Sequence, residues 1–204
     1  MSDKPRGYIT RLLALDCETS GLVYNSDDPS FDSKTGEYFQ AVSWGLVVVD
    51  AESLKKIEEL YLEIKWDGKS QWNPKAEAIH GLSKAHLAKH GMDRQDAVEA
   101  IGNLIINHWG PSIPICILGH NPSFDLAFLK RDMRSEGIEL RFGSKRIDTN
   151  SIGFTVFGTH NSDDLFDLVG IKRDPNNHNA LDDARGALEV VRRTRALANE
   201  CFGG

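Results

Sequence analysis

Three short segments hold the side chains of this chain best suited to chemistry. Leu13-Ala14-Leu15-Asp16-Cys17-Glu18-Thr19-Ser20-Gly21 carries two carboxylates, and His120-Asn121-Pro122-Ser123-Phe124-Asp125 carries a third. His178-Asn179-Ala180-Leu181-Asp182-Asp183-Ala184 carries a fourth, together with a histidine. Carboxylates that hold divalent cations, beside a base that takes a proton from water, are the requirements of two-metal phosphodiester hydrolysis. That chemistry is the expectation against which the fold is set.

Asp16 and Glu18 lie two apart on an expected strand, so both project from one face while Cys17 faces the core. Two carboxylates about 4 Å apart at an effective dielectric of ~20 repel by roughly 4 kcal/mol. A fold that gathers four therefore needs compensation, and hard cations with oxygen ligands supply it. Alone, an Asp-x-Glu at a strand end is an ordinary polar terminus. Asp125 falls in the first turn of an expected helix, where its simplest role is to complement the helix dipole. Phe124 beside it offers a ring on which a base could stack. His178 is expected on a loop introduced by Pro175-Asn176-Asn177, mobile enough to swing toward the site. An unperturbed pKa of about 6.5 suits it to general-base work near neutrality. Asp183 is expected on the inner face of the following helix, with Asp182 an exposed neighbour.

The elements that must position these groups can be read from periodicity. Strands are expected at Leu12–Glu18, Ala41–Asp50 and Ile57–Trp66, forming an antiparallel meander. Leu22–Gln40 is polar and reads as a long surface loop. Helices are expected at Pro74–His80, Ser83–His90 and Asp93–Trp109, the last with Ala97, Ile101, Leu104, Ile105 and His108 at helical spacing. Pro114–Leu118 reads as a strand, Pro122 to about Glu136 as a helix ended by Gly137, and Arg146–Asp148 as a brief fifth strand. A short helix at Asp163–Val169 precedes a final one from Ala180 to about Glu200, with Ala184, Ala187, Leu188, Val191 and Ala198 inward. The pattern predicts an α/β domain, a mixed five-stranded sheet whose first three strands are antiparallel, flanked by helices. One domain is expected over residues 1–204, with a core from about 12 to 197.

Bulk properties narrow the class. The chain has 204 residues, 40 % hydrophobic and 26 % charged, as in an ordinary globule. A net charge of −6 argues against a basic coat for nucleic acid. Local basic clusters exist at Lys130, Arg131 and Arg134, at Arg141, Lys145 and Arg146, and at Arg192, Arg193 and Arg195; solvated faces are the plain reading of each. Three scattered cysteines without a C-x-x-C pair suggest free thiols and a cytoplasmic setting. The short apolar stretch after Met1–Gly7 does not read as a signal peptide, and no segment approaches the roughly 20 apolar residues of a span, so no membrane association is expected.

The three segments, in this order, resemble the Exo I, Exo II and Exo III motifs of the DEDDh 3′→5′ exonuclease family, which includes proofreading subunits, RNase T and oligoribonuclease. Glu77-Ala78-Ile79-His80-Gly81-Leu82-Ser83 resembles the family's IHG turn, and Arg146-Ile147-Asp148-Thr149 its short strand before the third motif. The resemblance spans about Leu12 to Leu197 and implies a ribonuclease H-like fold. It further implies two divalent cations, Mg²⁺ or Mn²⁺, held by Asp16, Glu18, Asp125 and Asp183. His178 would be the base, and 5′-mononucleotides the products. Gly21, Leu22, Ile79, His80, Asn121 and Phe124 match positions that line the terminal nucleotide.

The expected partner is the 3′ end of a single-stranded nucleic acid. The expected substrate is single-stranded DNA or a frayed 3′ end, with a 3′→5′ exoribonuclease of RNase T or oligoribonuclease type as the nearest alternative. DNA is favoured over RNA, although no residue here reads a 2′-hydroxyl. A non-catalytic binding module or polymerase-associated subunit is the alternative of another class. A homodimer, or a polymerase or repair partner, is compatible with the resemblance. The loop 23–40 is longer than the family's compact first hairpin, and its Phe31, Tyr38 and Phe39 either grip a ligand or pack on the core. The absence of a tethering tail after the last helix favours a stand-alone enzyme.

Overall fold

The first strand, β1 (Arg11–Thr19), has two faces, and the fold is built around both. Leu13, Leu15 and Cys17 enter one hydrophobic cluster; Leu12 and Ala14 enter another. The computed structural model describes residues 9–23, 27–110, 113–172 and 178–203. The remaining strands, in chain order, are the short pair β2 (Phe31–Asp32) and β3 (Glu37–Tyr38), then β4 (Ala41–Asp50), β5 (Lys56–Glu63), β6 (Ile115–Gly119) and β7 (Phe142–Asp148). The main sheet runs β5-β4-β1-β6-β7. β1, β4 and β5 pair antiparallel, and β6 and β7 join β1 in parallel. This is the mixed five-stranded α/β sheet expected from the sequence.

Seven α-helices are described: α1 (Pro74–His80), α2 (Lys84–His90), α3 (Arg94–Trp109), α4 (Pro122–Ser135), α5 (Thr149–Ile152), α6 (Ser162–Leu168) and α7 (Ala180–Phe202). A π-helical turn, Gly153–Phe157, continues α5. α3 and α4 cover the face of Leu13, Leu15 and Cys17 through Ala97, Ile101, Ile105, Leu126, Phe128 and Leu129. α7 covers the other face through Ala184, Leu188 and Val191. β4 is buried on both sides, which is why its sequence is almost uniformly apolar. Helix starts follow capping chemistry: Asn73, Ser83, Asn161 and Asn179 each accept backbone N–H bonds with their side chains.

Five details depart from the sequence reading, the first being that β5 covers Lys56–Glu63 and stops short of Trp66. The segment 22–40 is not merely a surface loop, because β2 and β3 form a hairpin and Ser30, Phe39 and Gln40 are buried; residues 24–26 and 173–177, including the Pro175–Asn177 lead-in, lie outside the described residues. β7 is longer than Arg146–Asp148. The α5–π turn carries no pattern that set it apart beforehand. Ala198 is exposed, since the last turns of α7 extend past the sheet. Cys17 and Cys116 are buried, whereas Cys201 is exposed near the end of α7.

One glycine decides how closely α7 approaches. Gly45 is the cross-strand partner of Asp16, and a Cβ there would lie 2.2 Å from the backbone carbonyl carbon of Ala180 and the nitrogen of Leu181. The first turn of α7 therefore rests on bare backbone beside Asp16. Gly45→Ala is expected to destabilise the protein by about 1–3 kcal/mol in denaturant melts; an unchanged melting curve would mean the contact is slack.

Candidate active site

The strand ends and helix starts that meet beside Gly45 gather the acids. Side-chain alternation puts Asp16 and Glu18 on the α7 face of β1, as expected, while Cys17 turns into the core. Asn179 caps α7, accepting from Leu181 and Asp182 N–H at 3.0 and 3.3 Å, and so presents Asp183 about one turn into the helix on its buried side. Glu18, His178 and Asp183 each offer a ligand atom, and the three atoms lie within 4.8 Å of one another. Asp182 is exposed and pairs with Arg185 at 2.8 Å.

Asp16 and Asp125 are not in that tight triplet. Asp125 reaches β1 from the first turn of α4, and its Oδ1 accepts the Cys17 N–H at 2.9 Å. It is 2 % exposed, so dipole compensation in solvent is not its setting. Burial pushes its carboxyl up to about 7; the Cys17 contacts oppose that rise, and the charge of Asp183 adds to it. Burial, followed by the charges of Asp125 and Asp16, likewise holds the Cys17 thiol well above its ordinary value. The charge of Asp183 thus raises the cost of ionising Asp125, and Asp125, Asp16 and Glu18 together raise that of the Cys17 thiol.

Such a donor set suits hard cations: oxygen ligands, one imidazole, and a buried carboxylate whose ionisation a nearby positive charge would restore. Glu18 and Asp183 are the closest-set oxygen ligands, with Asp16 on the same strand face and Asp125 beneath the strand end.

The residues expected to line the terminal nucleotide differ in exposure and in how they are held. The backbone N–H of His178 donates to the Ile79 carbonyl at 3.2 Å, so the loop expected to swing freely is tied to the C-terminal end of α1. Ile79 is 49 % exposed, but His80 is buried. The His80 Nδ1 accepts from Leu82 N–H at 3.0 Å, and its buried Nε2 makes no hydrogen bond of normal geometry among the described residues, with the Thr19 backbone its polar neighbour. Burial holds this imidazole below its ordinary value. Gly21 is buried with φ 147°, and a Cβ there would run into the Phe39 ring. Leu22 and Phe124 are half-buried, Phe124 tilted against Phe128 at 5.1 Å. Asn121 is exposed in the left-handed region, its N–H bound to Asp148 at 2.9 Å.

A polar row on β5 escaped the sequence reading. Register places Tyr61 opposite Gly45 and Glu63 opposite Ser43, in line with Asp16 and Glu18. Tyr61 Oη donates to Glu63 at 3.0 Å, and His86 contacts the other Glu63 oxygen at 2.6 Å. Burial and then Glu63 raise the Tyr61 hydroxyl, with Glu18 contributing. The signal was available in the period of two, since Tyr61 and Glu63 alternate with Leu60 and Leu62.

Comparison with known proteins agrees with this geometry. A model of the family described as Exonuclease matches residues 13–191. No curated protein matches the sequence. Escherichia coli exonuclease I in complex with a dT13 oligonucleotide is similar in fold, with a TM-score of 0.72 at 18 % identity over 95 % of this chain and 44 % of that one. The zinc-bound form of the E. coli exonuclease I–single-stranded DNA complex gives 0.70 at 17 %, over 92 % and 41 %. The chain thus spans less than half the length of those proteins. By its family match over most of its length, with the motif acids and histidine in order, the chain belongs to the Exonuclease family as a DEDDh-type member.

Proposed function

We propose that the protein is a divalent-cation-dependent 3′→5′ exonuclease that releases 5′-mononucleotides from single-stranded DNA. The observation that carries this reading is the convergence of Glu18, Asp183 and His178 within 4.8 Å, beside Asp16 and above buried Asp125. Fold neighbours crystallised with oligonucleotides support single-stranded DNA as the substrate.

Asp16, Glu18 and Asp183 would hold the cations, with Asp125 contributing directly or through water. When bound, such ions stabilise charge on the phosphate and on the departing oxygen. The protein's own groups do the rest. The half-buried His178, anchored through its backbone to Ile79, accepts a proton from the attacking water. The water oxygen joins the terminal phosphorus, the bond to the 3′-oxygen of the preceding nucleotide breaks, and that oxygen takes a proton from solvent to become a 3′-hydroxyl, while His178 later returns its proton to solvent. Exposed Ile79 and half-buried Leu22 and Phe124 provide apolar surface for the last base and sugar.

An end-labelling assay tests the reading. A single strand labelled at its 5′ end should shorten stepwise with Mg²⁺ or Mn²⁺, resist with chelator, and outpace both duplex DNA and RNA. Release of nucleotides from the 5′ end would reverse the polarity, and faster RNA decay would change the substrate. His178→Ala is expected to cut turnover on the order of 10²–10⁴-fold while strand binding measured in Ca²⁺ is retained; equal turnover would remove His178 as the base. Cation binding has its own readout. Mg²⁺ or Mn²⁺ should raise the thermal midpoint of the native protein by linkage, and Asp183→Asn should abolish most of that rise. If the midpoint ignores both ions, the acids do not form a cation site.

A further inference from the structure

Two basic clusters that lie apart in the sequence meet on one side of α4. Ser123, Ala127, Lys130 and Arg134 follow one another at helical spacings of four, three and four, forming a stripe about 16 Å long. Arg146, from β7, reaches over to this stripe and donates to Ser123 Oγ at 2.6 Å. All five line a groove of about 530 Å³ whose opposite wall is Tyr38, Asp27 and Asp28. Ser123 stands in the first turn of α4, the same turn that carries Asp125 on its buried side, so this end of the groove begins at the helix start that also feeds the site.

Lys130 lies over the Phe142 ring at 5.9 Å and Arg146 holds Ser123, but the cations here are not bound to carbonyls or carboxylates as their neighbours are. Arg131, on the same helix, turns inward to the Ser30 carbonyl and to buried Asp132. Arg192 and Arg195, from the third basic cluster, bond the carbonyls of Leu54, Ala51 and Glu52, and Arg193 pairs with Glu189. Among the described residues, Lys130, Arg134 and Arg146 make no ion pair with a carboxylate. They crowd one another instead: burial, then Arg146, then Arg134 hold the Lys130 ammonium below its ordinary value. Small Ala127 leaves the floor between them open. A solvated helix face would gain nothing from a third cation brought in from β7.

We propose that this groove is the track for the strand upstream of the cleaved nucleotide, with backbone phosphates on Ser123, Arg146, Lys130 and Arg134. The bases turn toward Tyr38, which is 45 % exposed on the β2–β3 hairpin. Asp27 and Asp28 reinforce that orientation by repelling phosphates from their wall. The long segment after Gly21 thereby acquires a use, as the second side of a channel.

This inference rests on the exonuclease reading, and its test separates the two. Lys130→Ala/Arg134→Ala/Arg146→Ala would be compared with the native chain on a dinucleotide and on a single strand of about a dozen nucleotides. Binding of the longer strand, DNA in one arm and RNA in another, is followed in Ca²⁺ across a salt series. The triple variant should lose roughly two units of slope in log affinity against log salt, at about 0.7 per phosphate contact, and bind the long strand at least tenfold more weakly. Dinucleotide turnover should match the native protein, and Lys130→Arg should bind as native. Unchanged slope and affinity would reduce the groove to a solvated face. Equal losses on dinucleotide and long strand, with a native melting curve, would also overturn it, since the cations would then act at the scissile end. A native chain that binds the long strand with this slope yet cleaves neither substrate would instead contradict the exonuclease reading alone.

Discussion

The contact between the first turn of α7 and the bare backbone of Gly45 is the constraint on which the site depends. Asp16 and Glu18 come from one strand, but Asp183 and His178 arrive more than 150 residues later and must be brought within bonding distance of a common point. A side chain at position 45 would hold the helix off the sheet by its own thickness, and a displacement of that order is enough to dissolve a three-ligand cluster. Ala184 and Leu188 continue the close approach along the helix, so the packing energy of one layer is also what positions the carboxylate.

A second constraint works from the opposite face. Asp125 belongs to a helix that packs on the core side of β1, yet its carboxylate is bound to the Cys17 N–H between the two acids of the first segment. The parallel pairing of β1 with β6 sets this geometry, because α4 begins where β6 ends. Asp148 ties the end of β7 to the same start by accepting from Asn121 and Asn150. The acids are thus delivered by elements on both sides of the sheet, and the field they create follows from the fold, not from local sequence.

Much of this was legible beforehand because period and composition speak directly to it. The apolar run of β4, the alternation in β5 and the proline start of α4 each have one economical structural solution, and the ranges Ala41–Asp50 and Pro74–His80 agree residue for residue with the structure. The order of the acidic segments made the site legible too, although only coordinates put Glu18, His178 and Asp183 within one small volume. What stayed hidden depends on tertiary context. Phe31 and Tyr38 pair only because a short hairpin folds back, and Thr149-Asn150-Ser151 followed by Ile152-Gly153-Phe154 gives no periodic hint of an α-to-π helix. Lys130 and Arg146 looked like separate solvated clusters because nothing in a sequence says that β7 ends beside α4. Tyr61 and Glu63 were overshadowed by the apolar partners that alternate with them.

The placement of the thiols has a practical consequence. Burial raises both Cys17 and Cys116 away from the reactive thiolate form. Cys201, by contrast, sits 18 residues beyond Asp183 on α7, about 27 Å along the helix axis and open to solvent. The fold therefore presents a single addressable thiol, remote from the acid cluster, where a maleimide dye or a surface linker can be attached while the other end of the same helix is left undisturbed.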